Sequence, residues 1–162
     1  MSFWNIIKSL DFKQLWILFL WFIQHPLFMF ATAKATYFTI RIAQKEFPDI
    51  HDQDNKANAF RHALWNILIA KESVKFSSDV EAVLNWTKRI TDWHEEFSPN
   101  KEMARLMDLH NNQFGRNKFL DLKEKSTETI VISLKNEFTN AVQVKHTSEF
   151  KNLENQLVYL EK

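Results

Sequence analysis

Leu15 to Ala33, reading LWILFLWFIQHPLFMFATA, is a run of nineteen residues without a formal charge. Its length alone would permit a membrane span, yet Gln24, His25 and Pro26 interrupt it midway. Pro26 has no backbone donor and its ring clashes with the preceding turn, so the helix must break or kink there. Two apolar halves follow, each shorter than a bilayer, which either pair at a membrane interface or bury themselves against the rest of the domain. Lys8 and Lys13 precede the run and Lys34, Arg41 and Lys45 follow it. Positive charge on both sides gives no orientation. Trp4, Trp16, Trp21 and Tyr37 suit a headgroup boundary. Ala31, Thr32 and Ala33 also form an A-x-A-like leader cleavage site, a rival expectation for the same stretch.

The remainder of the chain narrows the fold class. One glycine and three prolines in 162 residues argue against glycine-rich phosphate loops and against a multi-stranded sheet with many tight turns. The length supports one compact domain with a real core. The expectation is an all-α single domain, with residues 1–47 as an apolar helix pair and residues 48–162 as a helical part that carries the polar site, both in one folding unit. Lys and Arg number 21 against 20 Asp and Glu, so no global field gathers nucleic acid. The absence of cysteine removes disulfides, thiolate nucleophiles and Cys-based zinc sites, leaving His, carboxylate and amide ligands for any metal.

Punctuation divides the second part into helices. Asp54 is placed to cap a helix to about Glu72. Ser78-x-x-Glu81 reads as a capping box before a stripe of Val83, Trp86, Ile90, Trp93 and Phe97. Ser98 and Pro99 open a helix that Gly115 is expected to end. Ile130, Leu134 and Phe138 mark a helix from about Thr127 to Ala141, and a shorter one is expected from Ser148 to Leu160.

Polar groups with chemistry fall at helical spacing. Asn58, Arg61, His62 and Trp65 stand at i, i+3, i+4 and i+7, as do Asp108, Asn111, Asn112 and Gly115, with Arg116 next. Between them, His94 and Glu95 end an aromatic helix. Converged, these groups form a mixed imidazole and carboxylate set suited to a divalent cation, zinc first and calcium second, with His62, His94 and Asp108 as ligands. Glu95 is then a candidate general base and Arg61 or Arg116 neutralises charge on a substrate. Asn58, Asn111, Asn112, Arg116 and Trp65 are the candidate substrate-binding residues. The same residues also permit a His62 and Asp108 dyad that activates water, or a satisfied structural network in which Arg61 pairs with Asp108 or Glu95. Trp65 and Trp93 read equally as core. His25, His51, His110 and His146 lack companions at ligand spacing and read as surface or interface residues.

The three strings NAFRHALWN, HEE and MDLHNNQFGR, in this order between Asn55 and Arg116, resemble an uncharacterised bacterial domain. Its pattern is N-A-x-R-H-x-x-W, A-H-E and M-D-x-x-N-N-x-x-G-R, and it is met in small secreted or membrane-linked proteins and at the ends of toxin-like polyproteins. The resemblance implies that Asn58, Arg61, His62, Trp65, His94, Glu95, Asp108, Asn111, Asn112, Gly115 and Arg116 belong to one site, without naming its chemistry. Trp93 departs from the pattern, which has a small residue before the His-Glu pair.

These features predict a membrane-associated, metal-assisted hydrolase of a phospholipid or another (phospho)ester, at the cytoplasmic face or in the envelope of a bacterium, with membrane lipid as its partner and no nucleic acid. The alternative is a non-enzymatic membrane-associated protein that binds a protein partner and whose polar network only holds helices in register. A nuclease toxin is a weaker alternative, since clustered basic and aromatic residues are scarce.

Overall fold

The computed structural model describes residues 8, 10–48, 55–97, 101–153 and 155–160. Pro26 does break the apolar run: helix α1 spans Phe12–Gln24, and Pro26 occupies the first position of α2, Pro26–Glu46. Asp11 caps α1 in a reciprocal capping box with Gln14. Ala31 and Thr32 are buried within α2.

Four further helices follow: α3 Lys56–Ser73, α4 Val80–Phe97, α5 Glu102–Leu122 and α6 Thr127–Thr139. The architecture is all-α, as the composition predicts. Helix α3 buries 13 of its 18 residues, and a helix covered all round must lie at the centre of the domain. Around it pack α2, α4, α5 and α6, and the main core joins Phe60, Leu64 and Ile67 to Trp86, Ile90, Phe114, Phe119, Ile130 and Leu134.

Several expected boundaries shift, each for a local reason. Asn55, and not Asp54, caps α3, its side chain accepting from the amides of Ala57 and Asn58; Asp54 lies outside the described residues, as do Ser98, Pro99, Trp4 and His51. Asp79, one residue beyond the expected Ser78, accepts from the amide of Ala82 and starts α4. Gly115 does not end α5, which continues to Leu122. A side chain at this position is excluded by packing: a Cβ on Gly115 would stand 2.4 Å from the carbonyl oxygen of Ala63 and 2.9 Å from its Cα. The glycine is a point where the backbones of α3 and α5 touch.

The expected helix over Ser148–Leu160 is absent. A 3₁₀ turn, Thr147–Asn152, leads to β2, Val158–Tyr159, which pairs in parallel with β1, Val142–Gln143. Asn111 explains the override, because its side chain donates to the carbonyl of Val158 at 2.9 Å and accepts from its amide at 3.0 Å. An extended segment presents both backbone groups outward, whereas a helix would have spent them internally. Val144 and Val158 close over Met107 in a small second cluster.

Candidate metal centre

Three helices converge on His62. From α3 its ring enters with both nitrogens facing acids: Nδ1 is 3.3 Å from Glu95 Oε1 of α4, and Nε2 is 3.3 Å from Asp108 Oδ1 of α5. All three residues are buried, at 3%, 1% and 2% exposure. One ligand atom from each lies within 4.8 Å of the other two, so this group could hold a metal ion. Donor atoms about 2.1 Å from a tetrahedral ion are roughly 3.4 Å apart; because the two 3.3 Å contacts fall on different ring nitrogens, a single ion would take one nitrogen of His62, and the carboxylate facing the other nitrogen would have to close in from its place within 4.8 Å.

Amides and a guanidinium brace the group. Asn112 donates to Glu95 Oε1 at 2.9 Å while its oxygen faces His62 Nδ1 at 3.2 Å. Asn58 donates to Asp108 Oδ1 at 3.0 Å, and Arg61 donates to the Asn58 oxygen at 2.5 Å with His62 Nε2 3.3 Å away. Behind this layer, Asn66 donates to Asn112 at 2.7 Å and accepts from Thr91 and from Arg116 Nη1 at 3.0 Å. Gln113 accepts from the other arm of Arg116 at 2.8 Å. One atom stands outside the lattice of bonds: Glu95 Oε2 is buried and has no hydrogen-bond partner among the described residues.

Electrostatics follow from this geometry. Burial disfavours a charged imidazole, but Asp108 and Glu95 outweigh it and raise the His62 pKa. The two carboxylates on either side of the ring therefore favour its protonated form. Burial works against the Glu95 carboxylate as well, and the His62 charge with the Asn112 amide still lowers its pKa. His94, half-buried at the edge, is governed by burial, which lowers its pKa to about 4; it is neutral at pH 7.

The predicted residues separate into three groups. Asn58, Arg61, His62, Glu95, Asp108, Asn112 and Arg116 form one connected network. His94 adjoins it, its ring centroid 6.5 Å from that of His62, so the group that could hold a metal takes Glu95 in place of the expected His94. Asn111 and Trp65 face elsewhere. Asn111 grips β2, and Trp65 donates its indole N–H to Thr36 Oγ1 of α2 at 2.8 Å while its ring meets His94 edge-on at 5.2 Å. Trp93 packs on Trp21 of α1 at 5.8 Å, away from the imidazole pair. His25, read as a surface residue, is exposed but rests its ring against Trp86 at 5.2 Å. His110 faces the Gln156 carbonyl at 2.9 Å.

Asn66 and Thr91 are members that the spacing analysis missed. Asn66 stands four residues after His62 and eight after Asn58, on the same helical face, and this repeat was the available signal. Thr91 carries no such mark, because a threonine in an aromatic helix ordinarily bonds its own backbone, as it also does here with Thr87 at 3.0 Å.

A family model described as a domain of unknown function (DUF6973) covers residues 19–142. No curated protein and no solved structure matches the chain.

Proposed function

The chain belongs to this family of unknown function, and we propose that it is a metal-assisted hydrolase of an ester or phosphodiester, with phospholipids as the substrate class. The observation that carries the reading is the buried His62, Glu95 and Asp108 group with the unpartnered Glu95 Oε2 beside it. Buried carboxylate atoms without partners are rare and costly, and a cation would take this one up. An imidazole and two carboxylates favour zinc over calcium, which prefers all-oxygen sites.

A divalent cation held here would acidify water and stabilise charge developing on the substrate. The protein's own groups account for the rest. His62 surrenders its proton when it becomes a ligand, and Asn58 and Asn112 keep the carboxylates oriented through their amide donors. Arg61, only part-buried, is placed to neutralise a phosphate oxygen at the rim. Neutral His94 lies beside His62, where its imidazole is placed to hydrogen-bond the substrate.

Metal analysis after purification, followed by titration with zinc, tests this reading. One ion per chain, lost in Glu95→Gln and Asp108→Asn, together with lipid or diester hydrolysis lost in His62→Ala and His94→Ala, is the expected outcome. A protein that retains no ion and shows no zinc-dependent change in thermal stability would end it.

The completeness of the remaining hydrogen bonding favours a second reading, a structural network that holds three helices in register. It predicts lowered stability in Asp108→Asn with no metal dependence in either protein.

A further inference from the structure

We propose that the α1–α2 hairpin docks on the surface of a bilayer rich in anionic lipid, lying at the interface and not crossing it. The inward sides of the hairpin are already used. Trp21 packs on Trp86 and Trp93, Arg89 stacks 4.7 Å over the Trp21 ring, and α2 presents Ala31, Thr32, Ala35, Thr39 and Ala43 to the core. The opposite side is apolar and open. Phe12, Trp16, Phe19 and Ile23 recur at steps of four, three and four along α1, and none of its residues is buried. Leu27 and Phe30 extend the surface over the start of α2, with Phe12, Ile23 and Phe30 at 82%, 61% and 62% exposure. Contiguous exposure of this kind marks an interaction site.

Charge distribution identifies the occupant. The hairpin, Phe12–Glu46, has Lys13, Lys34, Arg41 and Lys45 against one acid, Glu46, which leaves 17 basic against 19 acidic residues elsewhere; Glu46 is paired with Lys135 of α6 and Lys34 with Glu72 of α3. The hairpin is therefore net positive and the remainder slightly negative. A negative lipid surface attracts the first and repels the second, which fixes the approach. No helix among the described residues is long and apolar enough to cross a membrane, in keeping with an interfacial seat for an aromatic, cation-flanked surface. The hairpin also borders the candidate centre, since Thr36 of α2 holds Trp65 and Trp65 meets His94. The inference deepens the lipid part of the proposed function, but it concerns binding and needs no hydrolysis.

Co-sedimentation of the full chain with phosphatidylglycerol–phosphatidylcholine vesicles, and with phosphatidylcholine alone, tests it. Binding is expected to the mixed vesicles, to fall with added salt, and to drop by about fivefold in Arg41→Gln, which removes one cation. The double variant Phe19→Glu with Ile23→Glu, both at exposed positions, is expected to keep its circular dichroism and melting temperature and to lose binding by more than roughly tenfold. Binding indifferent to that variant, no binding, or a wild-type dimer in solution that the variant dissolves would each overturn the proposal. Asp108→Asn is expected to bind vesicles normally, which separates failure of the hairpin from failure of the metal centre.

Discussion

Gly115 carries more consequence than any other single residue. Its neighbours in space are backbone atoms of Ala63, which cannot rotate away as a side chain would. Gly115→Ala is expected to force α3 and α5 apart and to destabilise the domain by about 2 kcal/mol or more, despite the better helix propensity of alanine; chemical denaturation with an unchanged m-value would check it. Asn112 illustrates a different dependence. It serves His62, Glu95 and Asn66 together, so Asn112→Ala should cost about 1–3 kcal/mol by leaving buried groups unmatched. Asn111 and Asn112 looked equivalent in sequence because both fall at helical spacing from Asp108. One residue turns a helix by 100°, and that angle sends one amide to the centre and the other to β2. Which way each pointed depended on where the rest of the chain lay, and spacing within one helix holds no such information.

At the scale of elements, α2 is joined to α3 and to α4 by one polar link each within an apolar contact. Trp65 and Trp86 donate their indole N–H groups to Thr36 and Thr32. Thr36→Val retains shape and removes the acceptor, so thermal unfolding should show a loss of about 1–3 kcal/mol, and more than Thr36→Ser. Lys34 and Lys75 bracket Glu72 at 2.9 and 2.7 Å. Burial raises the Glu72 pKa, the two lysines outweigh it, and the net value lies below 4.5. A depressed carboxylate contributes stability that is present above pH 4.5 and vanishes as the pH falls through the lower folded-state value. Glu72→Gln should thus cost on the order of 0.5 kcal/mol at pH 7, given solvent screening, and nothing in strong acid; paired denaturation curves across that range provide the measurement. Helix identities were legible from periodicity and from Pro26, since both act locally. The start of α3 at Asn55 and the extended tail were not, because a neighbouring cap and a distant amide decided them.

For the whole molecule, the three helices that build the polar centre also supply most of the hydrophobic core, which α2 and α6 complete. If the centre binds zinc, its ligands exist together only in the folded state, and saturating metal should raise the melting temperature in proportion to the logarithm of its concentration. Differential scanning calorimetry over a zinc series measures this, and Asp108→Asn should flatten the dependence. The membership of the centre was largely visible in three short strings, whereas its second layer of Asn66, Thr91 and Gln113 required the packing of α3 against α4 and α5.

The bonds that build this centre join residues far apart along the chain. Asn58 to Asp108, His62 to Asn112 and Asn66 to Arg116 each span 50 positions, and Asn111 to Val158 spans 47. Such contacts close large loops, and their entropic cost is recovered late in folding, after local helices have formed and collapsed. A nascent or partly denatured chain would possess the helices without the constellation, so the ability to bind an ion would mature last and serve as a kinetic timestamp for arrival at the native state.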